Sequence, residues 1–161
     1  MKLKLTACIE APKEKVWEYL SDVSNVHLWV ESIVTSPIEG TQTRGIGTFR
    51  VCQVGNKHFK EKFIAWDEGH SFTYQALNTP VVMKSAQNTW SVTSVNGKAL
   101  LTSEPEVVFK GGILGKLLEP LMRPMIQRMG MDALASFKYL VENGHPYEGK
   151  PSTLPRAPIT C

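Results

Sequence analysis

A chain of 161 residues with 18 lysines and arginines against 15 aspartates and glutamates carries a net charge of +3 at neutral pH, and its 42% hydrophobic and 20% charged residues are ordinary proportions for a soluble globular protein. The length suits one domain able to bury about two-thirds of the surface its unfolded chain exposes. The basic residues are scattered and give no footprint for nucleic acid, no apolar run has the length of a membrane span, and the start, MKLKLTACIEAPKEK, has no unbroken signal-peptide core; a soluble, cytoplasmic protein with no membrane insertion is expected.

Cys8, Cys52 and Cys161 are odd in number, far apart and in no metal-like spacing. Neither a disulfide framework nor a zinc site is expected from them, and they read as buried or incidental thiols.

Residues 2–10 alternate Lys2, Lys4 and Thr6 against Leu3, Leu5, Ala7 and Ile9, the period of a half-buried strand. The period then changes. Pro12 suits a first helical position, Glu14 the first turn, and Val16, Trp17 and Leu20 fall on one side of a short helix ending near Ser21-Asp22. A second short helical piece starting at Ser24 or Asn25 carries Val26 and Trp29 inward. From Ile33 to Phe109 six strands are predicted, broken at Gly40–Gly45, Gly55-Asn56, Glu68-Gly69, Asn78–Pro80 and Asn96-Gly97. The last is the strongest hairpin signal in the chain, and connections this short imply antiparallel pairing.

Lys110–Gly144 is the one long helical pattern. Leu114, Leu117, Leu118, Leu121, Met125 and Met129 form an apolar face in its first half, with Lys116, Glu119, Arg123 and Gln127 opposite. After Gly130 the apolar set becomes Ala133, Leu134, Phe137, Leu140 and Val141, rotated by roughly a quarter turn or more at ~100° per residue. Pro120, Pro124 and Gly130 are the expected bend points of a helix wrapping a curved sheet. The methionines suit either a ligand-adaptable wall or an irregular core. Asn143-Gly144 followed by Pro146 marks the end, and 145–161, with four prolines, reads as a mobile or surface-draped tail behind a single domain of 1–144.

The segments EAPKEKVWEYLSDVSNVHLW, GIGTFRV with FKEKFIAWDEGHSFTYQ, NTWSV before the Asn-Gly turn, and FKGGILGKLLEPLMR together resemble the START/Bet v 1-like superfamily, in its polyketide cyclase/dehydrase-like branch, over roughly residues 3–143. The resemblance implies an α+β helix-grip fold: a curved seven-stranded antiparallel sheet wrapped around a long C-terminal helix, with two short helices after the first strand. It also implies an apolar cavity between sheet and helix for a hydrophobic small molecule. No nucleophile, metal or cofactor motif accompanies it, so neither metal nor cofactor is expected.

Phe59, Glu61, Phe63 and Ala65 share one face of the fourth predicted strand. If that face is inward, Glu61 is a desolvated carboxyl and a candidate acid or base; otherwise it lies near the mouth, solvated or paired with a lysine. Ala86, Asn88, Trp90 and Val92 share a side of another strand, and Asn88 either orients a ligand's polar group or faces water. The last strand is equally apolar on both faces. Arg128 either pairs with Glu61 or an acidic ligand, or lays its stem on apolar surface. The four histidines show no triad or ligand spacing, and Gly111, Gly112 and Gly115 lack the lysine and hydroxyl of a phosphate loop.

The expected ligand wall is therefore Phe59, Glu61, Phe63, Tyr74, Asn88, Trp90, Leu121, Met125 and Met129. Two functions fit. One is binding or transport of a lipid, polyketide or aromatic metabolite. The other is a polyketide cyclase, aromatase or dehydratase in which Glu61, with Tyr74, moves protons. An interaction module of the Hsp90-activator kind fits less well, since no surface patch concentrates the charge.

Overall fold

In the computed structural model the alternating start becomes strand β1 (Leu5–Ile9), with Leu5, Ala7 and Ile9 buried. The backbone is described for residues 1–161, and the side chains for all but Ile113 and Leu114. Helix α1 (Lys13–Ser21) buries Val16, Trp17 and Leu20, with Pro12 as the residue just before its first turn. A 3₁₀ segment, Val23–Leu28, follows and turns Val26 and Trp29 inward. Six strands come next: β2 (Ile38–Glu39), β3 (Phe49–Val54), β4 (Lys57–Asp67), β5 (Ser71–Ala76), β6 (Met83–Val95) and β7 (Lys98–Phe109). The sheet order is β1-β7-β6-β5-β4-β3-β2, antiparallel throughout. At the β6–β7 hairpin Asn96 and Gly97 have φ of 52° and 79°, the positive pair that a two-residue turn matching the strand twist requires.

Register decides the face that alternation left open on β7. Trp90 of β6 lies opposite Ser103, and Val92 opposite Leu101, so the side carrying Leu101, Ser103, Val107 and Phe109 is the buried one. On β4 an irregularity between Phe63 and Ala65 breaks the period of two. Ala65, expected beside Phe63, is exposed, and Trp66 turns inward instead to stack on Phe72 with ring centroids 5.3 Å apart. A bulge inserts one unpaired residue and so exchanges the faces beyond it.

Helix α2 (Ile113–Asn143) is continuous through Pro120 and Pro124 and ends at Gly144, whose φ is 78° and whose N–H donates to Leu140 O at 2.8 Å. Its second half buries Leu134, Phe137, Leu140 and Val141 as expected. The first half is rotated from the expected face: Leu117, Leu121 and Met125 are 66%, 71% and 49% exposed. Stepping back from Phe137 by threes and fours along one unbroken helix reaches Ala133, Gly130, Ile126, Met122 and Leu118, so the packing of the second half fixes which residues of the first face the sheet. Leu114, expected on the apolar face with Leu117, Leu121 and Met125, lies outside the described side chains. Gly130 serves close approach here: a Cβ on it would overlap the Leu5 side chain of β1.

The cysteine expectation is corrected. Cys8 and Cys161, 153 residues apart, form a disulfide, while Cys52 is a free buried thiol as anticipated. Spacing along the chain carries no information about a tail that folds back onto the first strand. The tail is draped and pinned: Cys8 N–H donates to Pro158 O at 2.6 Å, Thr6 Oγ1 donates to Ile159 O at 3.1 Å, Arg156 pairs with Asp132 at 2.9 Å, and Pro151 and Ala157 are buried. This contact occupies the free edge of β1, which would otherwise present unpaired backbone groups.

Candidate functional site

Between the inner sheet face and α2 lies an open cleft of about 290 Å³. The strands supply Glu61 from β4, Tyr74 and Ala76 from β5, Ala86, Gln87, Asn88 and Trp90 from β6, and Ser103, Pro105 and Val107 from β7. All but Gln87 sit at alternate positions and share one side, because successive side chains of a strand point to opposite faces. The helix contributes Ile126, Met129, Gly130 and Ala133, and Val30 also lines the cleft.

Five of the nine expected residues, Glu61, Tyr74, Asn88, Trp90 and Met129, meet at this cleft. Phe63 is fully buried behind it, with Trp66, Phe72 and Tyr74 rings around it. Phe59 is half-buried opposite Cys52 and outside the lining. Leu121 and Met125 face solvent because of the helix rotation, and Ile126, Gly130 and Ala133 take the places assigned to them.

Glu61 is not alone in its burial. The β3–β4 register sets Arg50 directly opposite it, and Arg50 Nε and Nη2 reach Glu61 Oε2 at 2.8 and 2.6 Å. Arg50 is 2% exposed; its Nη1 donates to Val23 O at 2.9 Å, and its Cζ lies 5.4 Å from the Phe63 ring centroid and 5.0 Å from that of Tyr74. Burial, the largest single influence, acts to lower the Arg50 pKa, but the Glu61 carboxylate together with Cys52 and Tyr74 holds it above its ordinary value. Cys52 Sγ donates to the same carboxylate oxygen at 3.3 Å, and burial pushes the thiol up to about 12. Burial, then the nearby Glu61 charge, pushes the Tyr74 phenol up to about 12 as well. Asn88 Nδ2 donates to Ser103 Oγ at 3.1 Å, so the amide faces the cleft and not water.

Arg128, weighed as Glu61's partner, is instead 70% exposed and lies 3.9 Å from Asp132. The sequence reading missed Arg50. Counting back from the Gly55-Asn56 turn pairs Val54 with Lys57 and hence Arg50 with Glu61, so the hairpin register carried the signal. Among the described residues no group of three or more His, Cys, Asp or Glu is placed to hold a metal ion.

Residues 1–142 match the family described as polyketide cyclase / dehydrase and lipid transport. The chain belongs to that family. No curated protein matches the sequence. Among solved structures, Ara h 8.0201 superposes with a TM-score of 0.72 at 11% identity, covering 89% of this chain and 98% of its own. The di-domain ARO/CYC StfQ from the steffimycin biosynthetic pathway gives 0.74 at 12% identity over 89% of this chain, which spans about half (51%) of StfQ. Norcoclaurine synthase of Thalictrum flavum gives 0.66 at 19% identity, covering 89% and 95%. At such identities the likeness is one of fold, the Bet v 1-like helix grip, and family membership comes from the match over 1–142.

Proposed function

We propose that this family member binds a hydrophobic small molecule, a lipid, polyketide or aromatic metabolite, in the cleft between sheet and α2. The observation that carries the reading is the composition of the cleft. Apolar groups from β5, β6, β7, α2 and the loop at Val30, with Ala76, Ala86, Trp90, Val107 and Ile126 among them, surround a few convergent polar groups, Glu61, Tyr74, Gln87, Asn88 and Ser103. The family description, which joins cyclases with lipid transport, supports both this reading and an enzymatic one.

The chemistry of the polar groups favours binding over turnover. A phenol at about 12 keeps its proton near neutrality and is a weak acid there, and Glu61 is held in an ion pair with Arg50. Efficient general acid–base catalysis needs groups poised near the working pH. The pair therefore suits fixed recognition better than proton transfer, and the cyclase or dehydratase reading takes second place.

Native mass spectrometry of freshly purified protein should show a co-purified small molecule. Ala133→Phe, which fills the cleft from the helix side, should abolish the mass shift and weaken binding of an apolar fluorescent probe while leaving unfolding cooperative. Unchanged probe affinity in that variant would remove the cleft from the reading.

No described helix is long and apolar enough to cross a membrane. The Cys8–Cys161 bridge argues against the expected cytoplasmic location, since cytosolic thiols are kept reduced. Alkylating thiols in denaturant at the moment of cell lysis, so that the buried Cys52 and Cys8 are reached, separates the cases. Three blocked cysteines mean a reduced compartment, and Cys52 alone an oxidising one.

A further inference from the structure

The two oxygens of Glu61 have different surroundings. Oε2 receives all the protein donors that reach the carboxylate: Arg50 Nε at 2.8 Å, Arg50 Nη2 at 2.6 Å and Cys52 Sγ at 3.3 Å. Oε1 has no protein donor among the described residues, and the side chain, 13% exposed, forms part of the cleft wall. Arg50 is not offered to the cleft. Its side chain is 3% exposed, it does not line the cavity, and its guanidinium is enclosed by Glu61, the Val23 carbonyl and the rings of Phe63 and Tyr74. Glu61 is the one charged side chain among the described residues lining the cleft.

An ionised carboxylate only accepts hydrogen bonds. A ligand hydroxyl or ammonium at Oε1 completes it. A ligand carboxylate there would set two acceptors against each other, with the compensating cation shielded on the far side of Glu61. Such unpaired like charges are how a site rejects a ligand whose shape it would otherwise accept. We propose that the cleft selects ligands whose polar end is a hydrogen-bond donor, a hydroxyl, phenol or protonated amine, and discriminates against carboxylates of the same shape, with Glu61 Oε1 as the deciding acceptor. This rests on the reading of the cleft as a binding site for a hydrophobic molecule.

Three probes with the same ring system test it: naphthalene, naphthol and naphthoate, titrated calorimetrically into the oxidised wild-type protein at neutral pH. Naphthol should bind roughly tenfold or more tightly than naphthoate, with naphthalene between them. Glu61→Gln combined with Arg50→Met removes both charges without stranding either, and should shrink the ratio to about threefold or less. If naphthalene binds and naphthoate binds as well as naphthol, the cleft is a binding site and the proposed selectivity is wrong. A ratio that survives the double substitution overturns the role of Glu61. If none of the three probes binds, the binding reading falls and this inference with it. Should the double variant fail to fold, the wild-type ratio alone decides between selectivity and none.

Discussion

Arg50 and Glu61 show how one residue changes what another means. A lone inward carboxyl would be relieved by amidation, whereas a carboxylate beside a buried guanidinium is what keeps that guanidinium tolerable. Arg50→Met should therefore destabilise the fold by about 3–5 kcal/mol, and the double change with Glu61→Gln should recover most of the loss. Urea denaturation midpoints of wild type, both single variants and the double variant measure the coupling. Tyr74 and Cys52 give a pH signature. Both folded-state pKa values lie near 12, above their ordinary values of 10.0 and 9.0, so both groups are favoured in their neutral forms by the fold. Their stabilisation is complete below about pH 9, and it is lost as pH rises from there toward 12. Thermal midpoints should fall across that window, and Tyr74→Phe should flatten part of the fall. The inward face of β4 up to Phe63 was legible because alternation is unbroken there, and Glu61 was found that way. Arg50 stayed hidden because a charged residue inside a strand looks solvent-facing until the opposite strand is placed in register.

Helix α2 and the tail carry the element-scale lessons. The sequence marks the length and end of α2 well, since Gly144 and Pro146 are local stop signals. Its rotation is set by tertiary packing beyond Gly130, and a pattern with apolar residues on more than one side cannot report it. Leu121→Lys and Met125→Lys should accordingly change stability by no more than about 0.5 kcal/mol and leave probe binding intact. Gly130→Val, which drives a side chain into Leu5, should destabilise by about 1–3 kcal/mol, the range for overpacking. For the tail, Cys161→Ser removes a cross-link closing a loop of 153 residues. The chain-entropy model puts its contribution near 5 kcal/mol, with about 2–4 typical in practice. Denaturation of oxidised and reduced wild type beside Cys161→Ser should show the same loss in the latter two. No sequence signal pointed to this bridge, because it joins a strand edge to a segment with no periodicity of its own.

At the scale of the whole molecule, strand order was recoverable because every link between successive strands from β2 to β7 is short, leaving only the return of β1 to β7 to be inferred from the resemblance. What the chain does with its two ends was not recoverable in that way. The bridge between Cys8 and Cys161 also sets the route that mechanical force takes through the protein. Tension applied between residues 1 and 161 runs along the segment up to Cys8 and then across the sulfur–sulfur bond, and the 153-residue span becomes a slack loop beside the line of load. A fully extended chain of 161 residues would reach ~530 Å, at ~3.3 Å per residue, whereas the oxidised molecule in a single-molecule pulling experiment should lengthen by no more than ~30 Å. Adding reductant under tension would place the sheet and α2 in series with the force, and the full unfolding step would then appear.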